Sequence, residues 1–300
     1  MRTLKSCVLC LTLTSLAGTA VAQETVTLRF APPQGQVTRY LNDMQMWAQN
    51  PMMQMADTTL PMMVQRMWMT KTVTAVEGEV RTVQSVTDSV TQEMPAIRAM
   101  MEARGMGGMA GAMGGGNQFA NMMRGMVLTQ RIAPNGKVIS TETQAPNMSA
   151  QMQETVGKQQ GGVGRGGIIF PAGAIRVGDT WSDSQNVVQP QGGPAMGGRR
   201  GGRGGGGGEA MNTVWRMTFR LDRIESRGGM RVAVISMTGT ISAAGDAQTG
   251  MGGSVSGTIT GQLETDVGSS RLLSSVVDVN MTMGQMGAAR MHMTSALQGS

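Results

Sequence analysis

Runs in which Val, Ile, Leu, Phe and Thr alternate with polar residues recur along most of this chain, and a period of two is the signature of a strand with one buried face. Val26, Leu28 and Phe30 alternate first. Val73 and Val76 close a second run, Val80, Val83 and Val86 fall in a third, and residues 214–224 and 232–241 repeat the style. Turn-forming residues bound these runs at short intervals, as antiparallel sheet requires. The pattern predicts a mainly β chain, α+β only through a short helical insert at about 91–125. There Met94, Ile97, Met100 and Met101 have helical spacing over 93–103, and a second short helix is expected over 117–124. The two flank a Gly/Met-rich stretch, so the insert reads as a helical flap.

The runs fall into two similar halves, each expected to be a curved antiparallel sheet: 23–160 and 168–300, joined by a Gly-rich linker at 161–167. Aligning Glu77 with Glu225 places Val76 on Ile224, Val73 on Leu221, Thr70 on Thr218 and Met69 on Met217, with Trp68 one place away from the match to Trp215. Upstream, Gly35 with Tyr40 corresponds to Gly178 with Trp181. Asn135-Gly136 predicts a type I′ hairpin, and its counterpart turns near Gly268. Residues 191–210 are rich in Gly and carry Arg199, Arg200 and Arg203. Such a stretch buries too little apolar surface to offset its ordering entropy and is expected to be a disordered loop.

Arg2 and Lys5, an apolar stretch over 7–16 and the small residues Ala20-Val21-Ala22 have the order of a secretory signal peptide, with cleavage expected after Ala22. The apolar stretch is shorter than the roughly 20 residues needed to span a bilayer, and no later apolar run reaches that length. The reading is therefore a secreted or periplasmic protein without a transmembrane segment. Both cysteines, Cys7 and Cys10, fall in the expected leader, which leaves the mature chain without disulfides or thiolate metal sites. Gln23 stands where a lipoprotein would carry its anchor cysteine.

The stretch Phe170-Pro171-Ala172-Gly173-Ala174-Ile175-Arg176-Val177-Gly178-Asp179-Thr180-Trp181, with residues 28–40 and Asp88-Ser89 before it, resembles a family of exported bacterial proteins and lipoproteins of unknown function that share an FPxGxxxxGDTW-like motif. The resemblance implies the export compartment and a β-rich fold. It supplies no catalytic residues. In physical terms Pro171 fixes φ, Gly178-Asp179 makes a tight turn, and Trp181, like Trp68 and Trp215, is expected in the core.

Motifs for catalysis are missing or misplaced. Gly162-x-Gly164-x-x-Gly167 follows a polar segment and precedes Ile168-Ile169-Phe170-Pro171, whereas a dinucleotide fingerprint follows a strand and opens a helix. Gly253-Ser254-Val255-Ser256-Gly257 puts valine at the nucleophile position of a hydrolase elbow. The single histidine, His292, stands near the C-terminus, and the carboxylates Asp179, Asp183, Glu77, Glu225, Glu264 and Asp266 have no pairwise spacing that marks an acid and a base. The Arg/Gly stretch resembles nucleic-acid-binding tracts in composition, but export removes that partner. No nucleic acid is expected.

One chemical anomaly remains: 32 methionines against four phenylalanines and one tyrosine. Several form Met-x-Met pairs: Met44/Met46, Met53/Met55, Met67/Met69, Met281/Met283 and Met291/Met293. On a strand, residues i and i+2 project from one face. Two readings follow. Methionine is a flexible apolar filler, and a curved sheet under a Met-rich flap suits an apolar ligand such as a lipid or acyl chain. This gives a non-enzymatic binding or structural envelope module with no cofactor. Alternatively, thioethers favour Cu(I) over hard ions, and Met291, His292, Met293, Met281 and Met283 would then hold Cu(I) or Ag(I). A hydrolase without a recognisable motif is the third reading.

Overall fold

The computed structural model describes residues 24–49, 59–105, 116–148, 168–189, 211–244, 255–283 and 287–299. The expected signal peptide (1–22), the linker (161–167), residues 106–115 of the insert and the Arg/Gly stretch (191–210) lie outside the described residues. The strands are β1 (Thr25–Val26), β2 (Val37–Gln49), β3 (Met63–Glu77), β4 (Val80–Glu93), β5 (Val127–Ile132), β6 (Val138–Gln144), β7 (Ile175–Arg176), β8 (Thr180–Gln189), β9 (Met211–Arg227), β10 (Met230–Ala244), β11 (Val255–Asp266), β12 (Leu272–Met283) and β13 (Ala288–Gln298). Among the described residues the helices lie in the insert: α1 (Pro95–Ala103) and α2 (Gly116–Met123). The chain is thus mainly β and antiparallel with a short helical insert, as the periodicity predicts.

Eleven strands form one sheet in the order β6-β5-β4-β3-β2-β13-β12-β11-β10-β9-β8, and β1 pairs separately with β7. The meander β2–β6 and the meander β8–β12 have the same connectivity, and β13 lies between them, paired with β12 on one side and β2 on the other. The short strands that precede the meanders pair with each other, Thr25 opposite Arg176 and Val26 opposite Ile175. Both halves therefore lie in one continuous sheet whose edges are β6 and β8.

The connections divide by end. At one end β3–β4 turns at Gly78, β9–β10 at Gly228-Gly229 and β11–β12 over 267–271. At the other end lie the strand ends joined by the long connections β2–β3, β4–β5 (the helical insert), β8–β9 and β10–β11. The tight-turn end is crossed by two segments. The Phe30 amide donates to the Pro134 carbonyl (2.7 Å), the Ala31 amide to the Ser269 carbonyl (3.0 Å) and the Phe170 amide to the Asn135 carbonyl (2.7 Å). The first alternating run is accordingly only two residues of strand. Leu28, completely buried, and Phe30 beyond it leave the ladder to cover the end of the sheet.

The Asn135-Gly136 hairpin stands where predicted but is not a type I′ turn. The Gly136 amide donates to the Ala133 carbonyl (2.9 Å) and the Ala133 amide to the Lys137 carbonyl (2.9 Å), and of the three loop residues only Gly136 has positive φ. Pro134 holds φ negative at the first central position, which a type I′ turn forbids. The result is a three-residue loop closed by a left-handed glycine.

One face of the sheet holds the core. Trp215, Met217, Phe219 and Leu221 of β9 pack with Ile235, Met237 and Ile241 of β10, with Ile259 and Leu263 of β11, and with the crossing residues Val26, Leu28, Phe170 and Ile175. A second cluster places Ala120, Met123, Met126 and Met148 over Val90 and Met67, beneath α2. Trp181 stacks on Phe219, with ring centroids 5.6 Å apart, and its indole N–H donates to the Ile169 carbonyl (2.8 Å). Trp215 and Trp181 meet the core expectation and Trp68 does not. Trp68 lies between Met67 and Met69 on β3, opposite Leu41, and so projects from the other face. Its one-place offset in the repeat alignment is the reason, since one residue of shift on a strand exchanges faces.

Candidate functional site

The strand registers turn the scattered methionines into a surface. Met46 of β2 stands opposite Met291 of β13 on one side and Met63 of β3 on the other. The row continues from Met291 through Val279, Ile259 and Gly239 to Met217. The adjoining row runs Gln65, Met44, Met293, Val277, Gly261, Met237, Phe219 and Trp181. Directly opposed residues of an antiparallel pair share a face, and Met217, Met237 and Phe219 are core residues, so both rows belong to the core face. Over β9 and β10 the rows are buried under the crossing segments. Over β2, β3 and β13 they emerge, and Met44, Met46, Met63, Met291 and Met293 are half-buried.

Three strand glycines explain how methionine fits here. A Cβ on Gly239 would lie 2.6 Å from the Arg216 carbonyl oxygen, one on Gly257 2.5 Å from that of Asn280, and one on Gly261 2.7 Å from that of Val276. Each position is overlain by a methionine: Met217 Cγ at 3.3 Å, Met281 Cγ at 3.1 Å and Met237 Cε at 3.2 Å, respectively. Glycine permits close approach of neighbouring backbone, and an unbranched three-torsion side chain can lie down over the space it leaves. Near the long-connection end, Ala48, Ala289, Met281 and Gly257 form a further row of small residues and one methionine. On the opposite face at the same end, a depression of about 810 Å³ is lined by Thr258, Asn280, Arg290 and Trp47, which form one cross-strand row.

Of the residues singled out for metal, Met291, Met293 and Met281 share the core face, and Met283 occupies the register position opposite Val255. His292 does not join them. It stands between Met291 and Met293 on a strand and therefore points to the opposite face, where its Nδ1 pairs with Asp278 Oδ1 at 2.9 Å. The alternation that brings Met291 and Met293 together is what separates the imidazole from both. The structure instead adds three residues that were not selected from sequence: Met44, Met46 and Met63. The Met44/Met46 spacing was visible; its pairing with β13 was not.

The opposite face is polar. Arg227 pairs with Glu264 (2.9 Å) and with Glu225, Arg223 pairs with Glu225 (3.0 Å), and Arg66 with Asp43 (2.8 Å). Hydrogen bonds from Arg227 hold the Glu264 carboxyl below the ordinary carboxylate range, and those from Arg223 and Arg227 do the same for Glu225. On the core face, Tyr40 donates to the Leu272 carbonyl (2.9 Å), the Lys71 ammonium lies 4.9 Å from its ring centroid, and burial raises its phenol pKa. Among the described residues no group of three or more His, Cys, Asp or Glu side chains is placed to hold a metal ion, and no helix is long and apolar enough to cross a membrane.

No protein-family model matches the chain, and no curated protein matches it significantly.

Proposed function

We propose that this protein is a non-enzymatic exported binding module that holds an acyl chain against the methionine-lined part of its core face. The observation that carries the reading is the half-buried strip Met63–Met46–Met291 with Met44–Met293 beside it, which continues without a break into the buried core of β9–β12. A row crossing from β3 to β11 spans four inter-strand steps of about 4.8 Å, or roughly 19 Å. That is a long, narrow apolar track suited to a flexible hydrocarbon. Methionine adapts to an irregular apolar partner without a rigid pocket. The polar opposite face and the ion pairs along it suit water, so the two faces of the central strands have different work.

The test is displacement of a fluorescent fatty acid from the purified protein, together with mass spectrometry of lipid extracted after native purification. Saturable binding that Met46→Asp and Met291→Asp weaken at least tenfold supports the reading. A protein that carries no lipid and does not bind the probe refutes it.

A further inference from the structure

We propose that Met44, Met46, Met291 and Met293 form a thioether site for a soft monovalent cation, Cu(I) or Ag(I), on the core face at the β2–β13 seam. Met46 opposes Met291 and Met44 opposes Met293, so the four make a two-by-two block. Directly opposed Cβ atoms in such a pair stand about 4.5–5.5 Å apart, and i,i+2 neighbours on one strand about 6.7 Å apart. Methionine has three side-chain torsions beyond the backbone, enough to bring four sulfurs onto one ion from those positions. Met63, opposite Met46, stands in reserve as a fifth donor.

The surroundings select the ion. Next to the block on the same face are Gln65, Asn42, Ser295, Ala48, Ala289, Val277 and Val279, which contribute no carboxylate, imidazole or thiolate. A neutral, half-buried set of thioethers offers little to a hard or divalent ion, whose desolvation it cannot offset, and suits a polarisable cation of single charge. Farther along β3 two methionines are otherwise engaged: Met69 Sδ accepts from Asn42 Nδ2 (3.2 Å) and Met67 Sδ from Thr87 Oγ1 (4.0 Å). His292 takes no part, being held by Asp278 on the other face. Binding forms sulfur–metal dative bonds and releases the ion's previous ligands, with no change of oxidation state.

The inference uses the same strip as the acyl-chain reading but does not depend on it, and leucine separates the two because it keeps the apolar surface and removes the sulfur. The experiment is anaerobic competition of the full purified chain for Cu(I) against a coloured chelator, with Ag(I) titration read through the methyl resonances of ¹³C-methyl methionine. One ion per chain, coupled shifts of the four block methyls, and at least a hundredfold weaker competition in Met44→Leu/Met46→Leu/Met291→Leu/Met293→Leu are expected. His292→Ala is expected to compete like the parent. Failure of the parent to draw Cu(I) from the chelator overturns the proposal, as does a quadruple variant that competes equally. Should that variant not fold, the parent's Ag(I) titration decides: methyl shifts at methionines other than the four of the block and Met63 overturn it. Fatty-acid displacement by the leucine variant shows independently whether the acyl-chain reading stands.

Discussion

Gly257→Ala is the sharpest test of how this sheet is packed. The new methyl would lie 2.5 Å from the Asn280 carbonyl oxygen and 3.1 Å from Met281 Cγ. Met281 can rotate away. Asn280 cannot, because its residue is opposite Thr258 in the β11–β12 ladder, and relief requires the two central strands to separate by most of an ångström. Overpacking of a well-packed interior costs about 1–3 kcal/mol. Replacing glycine by alanine returns about 0.4–1 kcal/mol by restricting the unfolded chain. The net expectation is a loss of about 1–2 kcal/mol. Gly173→Ala is the control, since a Cβ there meets nothing within 4 Å and the backbone is not left-handed; it is expected to be neutral or slightly stabilising. Urea unfolding followed by tryptophan fluorescence reads both variants as shifts in midpoint at constant slope. If Gly257→Ala matches or exceeds the parent, the close approach of β11 and β12 is not a packing constraint, and the pairing of strand glycines with overlying methionines loses its physical basis.

Other expectations follow from single residues. Tyr40 is the chain's one tyrosine, so its absorbance titration reads that phenol alone, and burial places its midpoint above the ordinary value of about 10; a midpoint at or below that value would contradict its buried position. Because folded Glu225 and Glu264 have lowered pKa values, their stabilising contribution is complete above the unfolded carboxylate value of about 4.3 and disappears as pH falls through the folded values. Arg227→Ala should therefore unfold at lower urea than the parent near neutrality, and the gap should close on acidification; a gap independent of pH refutes the linkage. Leu221 is fully buried, and Leu221→Ala is expected to cost about 2–5 kcal/mol in the same assay.

Much of the fold was legible because its information is local. Period-two alternation gave the long strands, the Met94–Met101 spacing gave α1, and Asn135-Gly136 gave the place of a hairpin though not its type, because Pro134 itself takes the first central position and holds φ negative there. The position of His292 was also legible in principle, since a residue between two same-face strand neighbours must face away from them. Other features depend on contacts far apart in sequence. Nothing near Leu28 or Phe30 announces that they leave the ladder; that is decided by hydrogen bonds to Pro134 and Ser269. The strip of methionines is of this second kind, because Met44 and Met293 become neighbours only through the β2–β13 pairing.

That pairing follows from a constraint of direction. β2 and β12 are the facing ends of the two meanders, and both run from the tight-turn end toward the long-connection end, as their shared antiparallel pairing with β13 requires. Two five-strand units placed in tandem therefore cannot join edge to edge in antiparallel fashion; an odd strand has to intervene. β13 is that strand, and among the described residues it has no counterpart in the first half. It carries Met291 and Met293 into contact with the first strand of the other unit, which carries Met44 and Met46. The methionine block thus belongs to neither half. It arises at the seam, from the one strand that the repeated pattern does not supply, and a site there needs both halves and the closing strand to exist at all. Register changes in β13 are for this reason more damaging to the block than changes within either meander: a slip of one residue would exchange Met291 and Met293 for His292 on the core face, and would replace a thioether surface with an imidazole among apolar groups.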